Sequence, residues 1–236
     1  MFDGMFGLFK PKLITTGYNH KIRRRFSLKD FYNRLYYRVK YPKENDVRID
    51  KSSLIKYSQI AIMGKNNQII IEEGCKIYGI EIYIRGDNNI LFIGKNTNVN
   101  QSSLGAVFSV SLKGNGNKIH LGARAQIRGR ADITAHGGTQ IIIGDDFGMT
   151  ADAEIRSGDG HQMINEYGVA YNMPQDIHIG NNCWVGMRAT IQKGVILQND
   201  TIVAKNSIVT KSFDCNHIMI GGIPAKIIKT GVTWKF

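Results

Sequence analysis

Proline is scarce in this chain, with four in 236 residues, and cysteine scarcer, with three. Cys75, Cys183 and Cys215 are odd in number and match no metal or redox spacing, which points to buried or free thiols in a reducing compartment rather than a disulfide framework. No apolar run approaches about 18 residues, so no stretch reads as a membrane-spanning helix. The short apolar start lacks a cleavable core and a small-residue cleavage site, so no secretory signal is expected and the protein is expected in the cytoplasm. Acidic residues are nearly missing from positions 1–43, where only Asp3 and Asp30 stand against eleven Lys/Arg. That segment therefore carries +9 of the formal +12, and the rest of the chain is close to balance.

Glycine is abundant, at 26, and without a collagen-like period it signals many tight corners. Three regions follow from the texture. Residues 1–45 form a basic segment with helical character. Ser27 with Asp30 fits a helix start, Leu28, Phe31, Leu35 and Val39 recur at helical spacing, and Pro42 marks the end. Residues 46–230 form the main domain, and 231–236 a tail.

Within the main domain Ile179, Val185, Ile191, Leu197, Val203 and Val209 fall six apart. Four places after each stands Cys183, Ala189, Val195, Thr201, Ser207 or Phe213, mostly small or β-branched. Leu121, Ile127 and Ile133 repeat the spacing, as do Ile143, Met149 and Ile155 after an offset. A period of six fits neither a helix nor a simple hairpin sheet. It fits a short flat strand plus a corner, three of which close a triangular coil of about 18 residues. The aliphatic residue points inward, and each coil stacks on the next through parallel backbone hydrogen bonds. The expected fold is mostly β, a parallel β-helix with a short basic helical segment at its start.

The rhythm fails once, over residues 156–178. A solenoid forfeits stacking energy wherever the chain leaves the coil, and loops on rigid scaffolds often carry function. This excursion opens with Asp159 and His161. An imidazole is suited to taking a proton near neutral pH, although a surface loop histidine reads the same way.

Ser157–His161, then Ile179 through Trp184 and Gly186 to Ile191, then Ile208–Lys211, then Gly221–Lys226 resemble, in that order, the galactoside and maltose acetyltransferases and the related capsule O-acetyltransferases of the hexapeptide-repeat family. The resemblance covers roughly residues 47–230 and implies left-handed coils, acetyl-CoA as co-substrate and a homotrimer. It makes His161 the general base and places Trp184 near the thioester. Gly186 would let the thioester approach, and the Met187 amide would stabilise the oxyanion, an effect worth about 3 kcal/mol of barrier. Asp159, Glu166 or a backbone carbonyl would orient the imidazole. Ala204 falls where the family holds pantetheine, and Lys211, Lys226 and Lys229 where it holds the CoA phosphates. Where galactoside members carry sugar-binding aspartates, this chain reads His136-Gly137-Gly138. A different, anionic glycan touched by His136 and Arg156 is therefore a candidate acceptor, while His136 reads equally as a corner residue.

The function expected is O-acetyl transfer to a sugar of a bacterial surface polysaccharide. Acetyl transfer to a nucleotide-linked amino sugar, and a non-catalytic glycan-binding helix, are the alternatives. A related fold houses a zinc carbonic anhydrase, but His120, His136 and His161 lack its spacing, so no metal is expected. In the basic segment Phe26, Phe31, Tyr32, Tyr36 and Tyr37 interleave with the cations. This suits an anionic glycan or the inner membrane face, or a helix packed on the prism. No nucleic-acid motif is present.

Overall fold

The structure, a computed structural model, describes residues 37–40, 43–100 and 106–235. The chain winds as a three-sided prism. Face A has eight strands, from Tyr37–Lys40 to Ile208–Val209, and face B seven, from Asp46–Ile49 to Ile196–Leu197. Face C has nine, from Leu54–Lys56 to the closing pair Ile218–Gly222 and Ala225–Thr230. Among the described residues every pairing between strands of the three faces is parallel except that closing pair, which is antiparallel and caps the last coil.

The core is a column of inward aliphatic side chains, among them Ile69, Ile77, Ile119, Ile127, Ile141, Val185, Ile191 and Val209, all essentially buried. Each contributes about 1.5–3 kcal/mol by leaving water. The expected coil of six residues per face holds only at the C-terminal end, where Asn181 bonds Asn199, 18 residues on. Upstream two successive coils advance 22 residues each and the next advances 28. The cause is face A, whose strands Ser58–Met63, Ile80–Arg85, Phe108–Lys113 and Ala131–His136 have six residues each. Ile80, Ile82 and Ile84 all point inward from one such strand, so the prism is wider on this side. The offset between Ile133 and Ile143 in the repeat is this long face.

A second column lies at the A/B corner. Asn67, Asn89 and Asn117 are fully buried below Asn45, and each donates its Nδ2 to the Oδ1 one coil earlier, at 2.9, 2.9 and 2.8 Å. Such a stack satisfies every amide against its neighbour in a dry corner. It then changes chemistry. Asn117 Oδ1 accepts from the Gly138 amide at 2.9 Å, and the next rung is a hydroxyl pair, Thr139 Oγ1 with Ser157 Oγ at 2.5 Å. Ser157 is the residue at which the chain leaves the coil.

The helix expected to run to Pro42 is not what its last residues form. Tyr37–Lys40 is a strand, paired in parallel with Ser58–Ala61. Ser58–Met63 offers an edge of free backbone groups on that side, and tertiary pairing overrides a weak helical pattern. Leu28, Phe31 and Leu35, with the rest of residues 1–36, lie outside the described residues.

Candidate active site

Between the face A strand Ala153–Arg156 and the face B strand Ile177–Ile179 the chain leaves the prism at the A/B corner. Its feet are held together, since the Gln175 amide donates to the Ser157 carbonyl at 2.9 Å. Its tip is a small hairpin, with Ile164 bridging Ala170 antiparallel. Asn165 Oδ1 shapes the turn by accepting from the Tyr167 and Val169 amides at 3.0 and 2.9 Å. The hairpin turns large apolar side chains outward, with Tyr167 80% and Tyr171 64% exposed.

His161 stands on the outgoing arm with its side chain exposed. Its carbonyl accepts from Asn172 Nδ2 at 2.9 Å. Asp159 is engaged by other partners. Its Oδ2 accepts from Asn172 Nδ2 at 2.7 Å and from Lys193 Nζ, and Lys193 also donates to the Asn172 carbonyl at 2.9 Å. The Lys193 hydrogen bond, with help from Asn172, holds the Asp159 carboxyl below the usual carboxylate range. Asp159 is thus spent tying both arms of the excursion to the coil beneath. Among the described residues no hydrogen bond joins it, or the exposed Glu166, to the His161 imidazole. A lysine fixed on the next coil is the stronger partner for a carboxylate at this corner.

His136 ends the face A strand one coil earlier and lies under the excursion. A Cβ on Gly158 would come within 2.9 Å of its Cβ. Burial first, then Lys113 and Arg156, push the His136 pKa down, so the ring is neutral at neutral pH. Its Nε2 is buried without a hydrogen-bond partner. Arg156 lies across the same outer face, ion-paired with Glu154 and 3.7 Å from Asp132.

The residues expected to hold the cofactor lie elsewhere. Trp184 points outward from face C, between Gly148 and Ile202 in register. Gly186 and Met187 turn the following C/A corner, and Ala204 turns it one coil later. A side chain on Gly186 would meet the Lys205 amide and Val203 carbonyl at 2.8 Å, so stacking alone demands this glycine. The Met187 amide has no acceptor among the described residues. Lys226 and Lys229 lie exposed on the antiparallel cap strand of face C. Lys211 is not with them. It follows the last strand of face A, with its Nζ 5.7 Å from the centre of the Phe213 ring.

The sites therefore fall into two groups. His161, Asp159, His136, Arg156 and Lys211 belong to face A and the A/B corner. Trp184, Gly186, Met187, Ala204, Lys226 and Lys229 belong to face C and its corner with A. Sequence reasoning missed Lys193 and Asn172, whose roles have no motif. It also missed Trp234, whose Nε1 donates to the Asn182 carbonyl at 2.8 Å. The Trp234 ring covers Gly148, where a Cβ would lie 2.5 Å away, and sits 5.9 Å from the Trp184 ring. Among the described residues no group of three or more His, Cys, Asp or Glu could hold a metal ion.

A family model described as bacterial transferase hexapeptide (six repeats) matches residues 176–211. The polysialic acid O-acetyltransferase of Neisseria meningitidis is 32% identical over 196 residues, covering 80% of this chain and 85% of that protein. The crystal structure of the polysialic acid O-acetyltransferase OatWY superposes with a TM-score of 0.75 at 28% identity, over 85% of this chain and 91% of that one. That of the polySia-specific acetyltransferase NeuO gives 0.73 at 26%, over 84% and 86%.

Proposed function

Because this chain belongs to the hexapeptide-repeat O-acetyltransferases, with their left-handed parallel β-helix, we propose that it carries acetyl from acetyl-CoA to hydroxyls of polysialic acid or a closely similar acidic capsular polysaccharide. The observation that carries the reading is the excursion from the prism between Arg156 and Ile177. It departs from a locked Ser157–Thr139 rung, is tied down by Asp159, Asn172 and Lys193, and presents His161 to solvent.

In this reading His161 is the general base. Its imidazole takes the proton of the acceptor hydroxyl as the oxygen attacks the thioester carbonyl. The tetrahedral oxyanion accepts from the Met187 amide. Collapse expels the CoA thiolate, which recovers the proton from the imidazolium, leaving an O-acetyl ester and CoA. Trp184 lines the thioester end, Ala204 flanks the pantetheine, and Lys226 and Lys229 take up phosphate charge. Lys211 supplies charge from face A. Asp159 is a positioning residue for the loop, and His136 and Arg156 line the acceptor side.

The base and the cofactor groups lie on different faces of one chain, so a complete site needs two copies. The exposed Met163, Ile164, Tyr167, Val169, Tyr171 and Met173 of the excursion suit burial against a neighbour. We therefore propose a homotrimer, with each cleft formed by the excursion of one copy and face C of the next.

The test is transfer of labelled acetyl from acetyl-CoA to a panel of acidic and neutral glycans and amino sugars. Base-labile label on polysialic acid is the expected product. Base-stable label on an amino sugar would replace the reading with amide formation, and no turnover on any acidic polymer would end it.

A further inference from the structure

The ends of the long face A strands stack four residues in register: Met63, Arg85, Lys113 and His136. All alternate with the buried Ile62, Ile84, Leu112 and Ala135 and so face outward. Neighbouring strands lie about 4.8 Å apart, which sets the Arg85 and Lys113 side chains side by side. Like charges directly opposite on adjacent strands cost stability. Among the described residues nothing relieves the cost. Neither Arg85 nor Lys113 has an ion-pair partner among the described residues. The acids of this face, Glu81, Asp132 and Glu154, stand in the column four residues earlier, at its opposite edge. Asp132 and Glu154 serve Arg156. Asp87, just past the ladder, accepts at its Oδ1 from the Lys65 amide at 2.7 Å.

The ladder also has a direction. Its next rung, His136, is held neutral, and the Gly158 end of the excursion packs on it. The unbalanced charge therefore leads along the A/B edge to the foot of the loop that carries His161.

We propose that Arg85 and Lys113 form an extended acceptor subsite that holds successive carboxylates of a polyanionic glycan, delivering the chain to the excursion. The inference rests on the O-acetyl transfer reading for its direction, but polymer binding can be measured without turnover. A polymer bearing a carboxylate on every sugar offers a line of charge that one acidic sugar cannot, so the subsite selects for length.

The experiment measures binding of long polysialic acid, a short sialic acid oligomer and neutral dextran to the full chain. It compares wild type, Arg85→Gln/Lys113→Gln, and the control Lys51→Gln/Lys95→Gln, which loses the same charge at exposed positions elsewhere. The first pair is expected to weaken long-polymer binding about tenfold and to flatten its salt dependence, with little effect on the short oligomer. CoA affinity should persist, and the melting temperature should hold or rise as the like-charge stack is relieved. Equal weakening by the control pair, unchanged affinity in the Arg85/Lys113 pair, or a wild type that fails to prefer polysialic acid over dextran would each overturn the proposal. If the ladder binds polymer but the wild type transfers no acetyl to it, the subsite stands and the transferase reading falls.

Discussion

Trp234, from the last residues of the chain, lies with its ring centre 5.9 Å from that of Trp184, tilted by 34°. The contact is built from three sides. Trp234 Nε1 is bonded to the Asn182 carbonyl, Thr233 Oγ1 donates to Asp200 Oδ1 at 2.8 Å, and Gly148 leaves space beneath the ring. Paired aromatics exceed their area burial by about 0.5–1.5 kcal/mol.

Trp234→Ala should therefore raise the KM for acetyl-CoA, by about fivefold if one such contact is lost, with kcat nearly unchanged. The chain has two tryptophans, so a fluorescence titration with CoA reports on this pair alone. A wild type whose emission ignores CoA would remove face C from the cofactor site.

Lys193→Met should release Asp159 and Asn172 together, because the ammonium donates to both arms of the excursion. The pair is partly exposed, with side-chain exposures of 21% and 42%, so global stability should fall little. Turnover should fall by about tenfold or more, since misplacing a base by an ångström is costly. Steady-state kinetics beside a thermal melt would separate the two effects. Equal losses in both would make the anchor merely structural.

His136 gives a pH prediction. Its folded pKa is lowered, by burial first and then by Lys113 and Arg156, against the opposing pull of Asp132 and Asp159. The unfolded chain therefore binds the proton more readily than the folded one. Stability is intact above the ordinary histidine pKa of about 6.5 and erodes as pH falls below it, until the folded-state pKa is reached. His136→Gln should flatten that acid slope in denaturant melts between pH 7 and pH 5. An unchanged slope would assign the loss to other groups.

The C-terminal coils were legible because their inward positions, Ile179 to Val209, keep one spacing that stacking enforces. The upstream coils were only half legible. Their long face A adds inward residues such as Ile82 and Ile84, so the period becomes 22 and the hexads drift out of phase. The ladder Asn45–Asn67–Asn89–Asn117 was open to the same search, at intervals of 22, 22 and 28, but asparagine in a Gly-rich chain reads as turn residue rather than core. The excursion that carries His161 was legible because the broken repeat marks it. What held Asp159 was not, since Lys193 lies a coil away. The spacing through Val39 is helical although Tyr37–Lys40 is a strand, because an edge strand's partner does not appear in its own pattern.

The account stands on His161 as the group that takes the acceptor proton, and the direct measurement is kcat/KM for acetyl transfer to polysialic acid by His161→Ala. The imidazole is exposed, so the variant should fold normally and bind CoA with wild-type affinity. Transfer is expected to fall by about 100-fold or more, the scale of a lost general base. A variant that still acetylates within a few-fold of wild type would contradict the mechanism.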